Sequence, residues 1–211
     1  LTETNAVYNT VRRYSPQIHK RLEENRRLIQ ELRRAIRAGE FDVHYQPIVD
    51  CTGDVSSGEA LVRWSGASPG RFIPLAEQSG LIIPITEFVI DHVCSDIAAL
   101  RAAYPELVAH INISARHITA LDFPRILLEH MESHGLAPGC LGVEITETSF
   151  LQESPHVTRT LGNIRDAGFS VSIDDFGTGH ASLSYLKQIP AERLKIAASF
   201  VQGLAGARAD R

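Results

Sequence analysis

The sequence predicts an α/β fold: a TIM-like (β/α) barrel with one antiparallel strand, incomplete at its C-terminal end. Three observations predict it. From Phe41 onward, short β-like runs alternate with helical stretches, the pattern of a mostly parallel sheet with helices outside it. The first two runs are joined by only about eight residues, too few for a crossover helix, so they form an antiparallel hairpin. Several runs also carry carboxylates and amides on one face and aliphatic side chains on the other, as strands around a barrel mouth do.

The elements follow in chain order. Residues 1–16 show no clear periodicity. Residues 17–39 read as one helix, with Ile18, Leu22, Asn25, Ile29, Leu32 and Ile36 spaced alternately four and three apart and Gly39 as its stop. That stripe fits either a short coiled coil with Asn25 setting the register or an amphipathic helix packed on its neighbour. Residues 1–39 are therefore set apart as a linker and helix, and 40–211 as the barrel domain. Six β-like runs follow at 43–49, 58–64, 108–113, 141–146, 169–174 and 193–196, with helical stretches near 85–103, 123–135, 156–167 and 181–188. Removing the leading 39 residues leaves 172 of the 211, against about 250 for a typical eight-stranded barrel.

A strand turns successive side chains to opposite faces. Val171 and Ile173 therefore oppose Ser172 and Asp174, Ile111 opposes His110 and Asn112, and Val143 and Ile145 oppose Glu144. Leu194 and Ile196 likewise oppose Arg193 and Lys195, and Ala60 and Val62 oppose Glu59, Leu61 and Arg63. The aliphatic faces belong under helices; the other faces bring Glu59, Asn112, Glu144, Asp174 and Lys195 toward one interior. Barrel sites form at C-terminal strand ends, and Glu59, nearer the start of its run, is the one misfit.

Composition narrows the function. The chain is 44% hydrophobic and 22% charged, as a globular protein is, and it holds no apolar stretch approaching the ~20 residues of a membrane span. Three scattered cysteines make no disulfide framework or zinc knuckle. No signal pattern opens the sequence, so a cytoplasmic location is expected. The net charge is −4, yet residues 17–38 carry seven basic and three acidic side chains, leaving the remainder at −8. Such a body does not attract nucleic acid by its general field, although a divalent metal can join it to a phosphorylated ligand.

Oxygen donors from separate strands, without cysteine or an evident histidine partner, favour a hard cation such as Mg²⁺ or Mn²⁺. Asp175 beside Asp174 invites a second metal, the arrangement that activates water against a phosphodiester. Lys195 is placed to hold that water or to neutralise developing charge.

Particular segments then resemble a family. Glu59-Ala60-Leu61 with Val62-Arg63-Trp64 is similar to the signature of EAL domains, the bacterial cyclic-di-GMP phosphodiesterases. Tyr45-Gln46-Pro47-Ile48-Val49, Phe72-Ile73-Pro74-Leu75-Ala76-Glu77, Asn112-Ile113-Ser114-Ala115-Arg116, Glu144-Ile145-Thr146-Glu147, Asp174-Asp175-Phe176-Gly177-Thr178-Gly179 and Leu194-Lys195-Ile196 resemble it in the same order. The resemblance spans about residues 40–204. It implies that Glu59, Asn112, Glu144 and Asp174 hold a first metal, with Asp174 bridging to a second that Asp175 helps to hold. It also implies that Lys195 contacts the nucleophilic water and that Gln46, Leu61 and Arg63 contact the dinucleotide. Glu147 would brace the loop from Asp175 to Gly179. The expected reaction is hydrolysis of cyclic-di-GMP to linear pGpG in second-messenger signalling.

Three departures from the family pattern stand out. A later strand with a further metal-binding Glu is absent from these residues. Ala197 stands where an Asp is usual. The segment from Ser65 to Arg71 is short. These departures support an alternative: a catalytically degenerate domain that acts as a cyclic-di-GMP receptor or protein-interaction module. An unrelated metal-dependent barrel enzyme is a third reading. The stretch from Ala6 to Pro16 resembles the tail of a GGDEF domain, implying an upstream signalling domain, and a homodimer is one arrangement that could cover the open sheet edge, although the sequence itself does not show it. Two motifs are set aside. His130 and His134 have zinc-pair spacing on a helix but lack the Glu of HExxH and are expected on a solvated face. Asn112-Ile113-Ser114 fits a glycosylation sequon but lies in an interior strand.

Overall fold

The computed structural model describes residues 16–120, 122–147, 155–177 and 189–202. The predicted element near 181–188, Thr178, Gly179 and the GGDEF-like stretch up to Ser15 lie outside the described residues.

Helix α1 (Pro16–Ala38) leads into strands β1 (Phe41–Val49) and β2 (Val55–Trp64), followed by helices α2 (Pro69–Ser79) and α3 (Ile82–Leu100). Then come β3 (Ala109–Asn112), α4 (Ala115–Ala120), α5 (Phe123–Ser133), β4 (Leu141–Thr146), α6 (Pro155–Asp166), β5 (Ser170–Phe176), β6 (Arg193–Ile196) and α7 (Ala198–Gln202). The six strands form one sheet in sequence order. β1 and β2 pair antiparallel, with Gln46 opposite Glu59, and every later pair is parallel. This is the expected arc of a (β/α) barrel, opened by a hairpin.

The aliphatic strand faces fix where the helices go. Ile111, Val143, Ile145, Val171 and Ile173 are buried with Val89, Ile90 and Val93 of α3, Phe123 and Leu127 of α5, and Val157 and Leu161 of α6. Burying such side chains contributes about 1.5–3 kcal/mol each, which holds the helices to one side and leaves the other face to polar groups. Leu194 and Ile196 differ from the expectation: they are 45% and 63% exposed among the described residues.

A second core joins α1 to the barrel through Leu28, Leu32 and Ala35, which are buried with Phe41, Trp64, Phe72 and Ile85. Its aromatic centre is an edge-on contact of Trp64 with Phe72 at 5.8 Å. The packed-helix reading of α1 holds for its C-terminal half; Ile18 and Leu22 of the predicted stripe are exposed.

Helices α2 and α4 were not expected. Pro69, Gly70 and Pro74 give the α2 segment a loop-like composition. Pro69 nevertheless sits in the first turn, where a missing N–H costs nothing. Gly80, in the left-handed region at φ 76°, ends the helix by donating its N–H to the Glu77 carbonyl. No helix among the described residues is long and apolar enough to cross a membrane.

Candidate active site

The strand registers bring the predicted polar residues together. Asn112 of β3 lies opposite Glu144 of β4, and Asp174 of β5 lies opposite Thr146 at the end of β4. Glu59 corrects one expectation. β2 begins at Val55, so Glu59 lies mid-strand rather than near a strand start. It still reaches the cluster: Asn112 donates Nδ2–H to Glu59 Oε1 at 2.8 Å.

Lys195 of β6 forms the centre of the site. Its ammonium donates to Glu59 Oε2 at 2.7 Å and to Glu144 Oε2, and lies 3.4 Å from Asp174 Oδ1. Oxygens of Glu59, Glu144 and Asp174 all lie within 4.8 Å of one another. The setting is partly desolvated, with the Glu144 side chain 1% exposed and that of Lys195 30% exposed. Burial pushes the Glu144 carboxyl up to about 7, against the pull of Lys195. Glu59 is also pushed up by burial, yet its bonds to Lys195 and Asn112 outweigh that and hold it below the usual range. Burial works against the Lys195 cation, but its carboxylate partners prevail and raise its pKa. The donor set fits a hard divalent cation: three carboxylates and an amide converge where this structure places a protein cation.

Asp175 is exposed and has a left-handed backbone, φ 53°, an uncommon conformation for a residue other than glycine. Partial burial, followed by repulsion from Asp174, raises its carboxyl pKa. Glu147, buried at the end of β4, accepts the Gly177 N–H at Oε2, 2.6 Å away. Gly177 has φ 99° and the ring of Phe200 against it, so the turn after β5 requires a glycine.

A cleft of about 470 Å³ opens above the cluster, lined in part by Glu59, Leu61, Arg63, Asn112, Asp174 and Asp175. Gln46 faces the same side as Glu59, its antiparallel partner. A roomier groove of about 870 Å³ lies between α1 and α2, near Lys20, Arg21 and Arg71; it is remote from the carboxylates, and the smaller cleft is the one with chemistry at its floor.

Sequence reading overlooked two groups in this interior, His110 and Arg193. Both fall on the polar strand faces, which was the available signal. Glu77 of α2 also lines the cleft, and burial raises its carboxyl pKa. His130 and His134 are not on a freely solvated face: their side chains are 25% and 20% exposed, and each lies 3.6 Å from Asp91.

The EAL domain family model matches residues 29–211. Cyclic di-GMP phosphodiesterase NbdA of Pseudomonas aeruginosa is 33% identical over 209 residues, covering 96% of this chain and 27% of that protein. Signaling protein YkoW of Bacillus subtilis is 38% identical over 179 residues, covering 82% of this chain and 22% of that one. The chain thus spans about a quarter of the length of these curated relatives. Among solved structures, PaMucR phosphodiesterase in its c-di-GMP complex superposes with a TM-score of 0.80 at 34% identity, covering 87% of this chain and 77% of that one. The EAL enzyme Bd1971 in its cGMP-bound form gives 0.83 at 31%, covering 92% and 56%. The polar mouth of the barrel, the family match along most of the sequence and the shared fold converge, and the chain belongs to the EAL domain family.

Proposed function

We propose that the chain is a cyclic-di-GMP phosphodiesterase domain that hydrolyses one phosphodiester to give linear pGpG, using two divalent cations. The observation that carries this reading is the Lys195 ammonium gathered among Glu59, Glu144 and Asp174. Three carboxylates this close and partly shut off from water repel one another, and cations placed among them offset that repulsion. Glu59, Asn112, Glu144 and Asp174 would hold the first Mg²⁺ or Mn²⁺, and Asp174 with Asp175 the second. Bound there, the cations supply Lewis acidity toward a phosphodiester and make a nearby water more acidic.

The protein groups do the rest. Lys195, held charged by its carboxylates, would fix the attacking water by hydrogen bonding and offset charge gathering on the phosphate. Arg63 and Gln46, on the face of Glu59, would position phosphate and guanine, with Leu61 packing against the ligand. Glu147 would keep the turn after Asp175 in place through the Gly177 N–H. An upstream signalling domain, as in the bifunctional diguanylate cyclase/cyclic di-GMP phosphodiesterase MucR of Pseudomonas aeruginosa, belongs to the same reading, as does pairing with a second copy.

Incubation with Mg²⁺ and cyclic-di-GMP, followed by chromatography, tests it. Linear dinucleotide is expected; intact substrate at saturating metal rejects the reading. One observation favours the receptor alternative. Ala197, buried at the end of β6, puts a methyl group where EAL domains usually carry Asp. Ligand binding without turnover, with turnover gained in Ala197→Asp, would support that alternative.

A further inference from the structure

One layer below the carboxylates, His110 of β3 is 1% exposed. Arg193 of β6 reaches across the interior and places Nη1 3.1 Å from His110 Nε2. A guanidinium can only donate, so Nε2 accepts and the ring proton lies on Nδ1. That Nδ1 has no hydrogen-bond partner among the described residues. It lies 3.9 Å from Glu144 Oε1, while Lys195 holds the other Glu144 oxygen. A carboxylate shift of roughly 1 Å would bring the pair to the length of a charge-assisted bond.

The neighbouring strand makes room for this ring. His110 is directly opposite Gly142 in the parallel register. A Cβ on Gly142 would stand 2.1 Å from His110 Nδ1 and 2.6 Å from Ser170 Oγ. The imidazole thus fills the volume a side chain at 142 would otherwise take, and this space fixes the direction of its Nδ1–H.

We propose that His110 is a positioning residue for Glu144: Arg193 sets its tautomer, Gly142 gives it space, and its Nδ1–H steadies the Glu144 carboxylate for the divalent cation. The proposal rests on the phosphodiesterase reading above. Partners of this kind alter metal affinity by about 10–100-fold in known metal sites.

The test separates the two ring nitrogens. An Asn amide nitrogen can stand in for Nδ1, whereas a Gln amide reaches the position of Nε2. Mn²⁺ affinity is measured by calorimetry for the wild type, His110→Asn and His110→Gln, with thermal melts confirming that each variant folds. His110→Asn should stay within about threefold of wild type and His110→Gln should bind about tenfold more weakly. Gly142→Ala, which displaces the ring, should resemble His110→Gln. Nitrogen NMR of the metal-free wild type should show a neutral imidazole protonated at Nδ1. An Nε2–H tautomer, or equal affinities of the Asn and Gln variants, overturns the positioning role while leaving the phosphodiesterase reading intact. A wild type that takes up no Mn²⁺ overturns both.

Discussion

Replacing Lys195 with methionine keeps the stem and removes the cation at the centre of the carboxylates. Its ammonium lies 2.7 Å from Glu59, contacts Glu144 directly and is 3.4 Å from Asp174. Removing one partner of a fully buried ion pair costs about 3–5 kcal/mol, whereas exposed pairs are worth about 0–1. Glu144 is 1% exposed and Lys195 30%, so the loss should lie between these limits, about 2–3 kcal/mol without metal near pH 8. For a chain of this size that is a fall of about 5–10 °C in Tm. Mn²⁺ should then restore stability: at about 100 times its Kd, binding adds about 2.7 kcal/mol. The variant should also bind Mn²⁺ more tightly than wild type, because no ammonium competes, while hydrolysing less. Calorimetric melts with and without Mn²⁺ measure each quantity. A Lys195→Met chain as stable as wild type without metal, with no gain on adding Mn²⁺, would refute the reasoning.

Three other perturbations have defined outcomes. His117 is buried beside Phe123, 4.7 Å between rings, with neither ring nitrogen partnered among the described residues; burial lowers its pKa from 6.5 to about 4. The unfolded chain therefore takes up this proton first. Stability from His117 is fully present above pH 6.5 and lost as pH falls toward 4, about 3 kcal/mol in all. His117→Leu should flatten that part of the urea-midpoint profile and cost little at pH 7; an unchanged slope contradicts the assignment. Leu32→Ala, at a fully buried position in α1, should cost about 3 kcal/mol by denaturant unfolding, and a loss below about 0.5 would mean that α1 does not share the core. Glu147→Gln weakens the acceptor for the Gly177 N–H and should lower turnover about tenfold with less than about 1 kcal/mol of stability lost; unchanged turnover separates this loop from the chemistry.

Much of this fold was legible because strand periodicity carries two messages at once. Val171 and Ile173 locate the helix layer, and the same alternation turns Ser172 and Asp174 inward. The short link after Val49, expected at about eight residues and five in the structure, likewise pointed to the antiparallel hairpin. Helix α2 was hidden because Pro69, Gly70 and Pro74 resemble a loop, while the burial of Phe72, Leu75 and Ala76 outweighs their poor propensity. The α1 stripe held at Leu32, with Ile29 and Ile36 packed at the edge of the core, but its most buried side also takes in Leu28 and Ala35, because the partner surface sets how far a helix face is covered. The direct contacts of Lys195 with Glu59 and Glu144 could not be read either, since they depend on strand stagger across 136 and 51 residues of sequence. His110 passed unnoticed because one histidine on an interior face has no motif; its role emerges only with Gly142 opposite and Arg193 across the barrel.

The central claim is that Glu59, Asn112, Glu144 and Asp174 hold a divalent cation together. Electron paramagnetic resonance of Mn²⁺ titrated into the wild type and into Glu59→Gln, Glu144→Gln and Asp174→Asn tests it most directly. Saturable uptake by the wild type, weakened at least about tenfold in each variant, is predicted. Equal uptake by all four proteins would contradict the account.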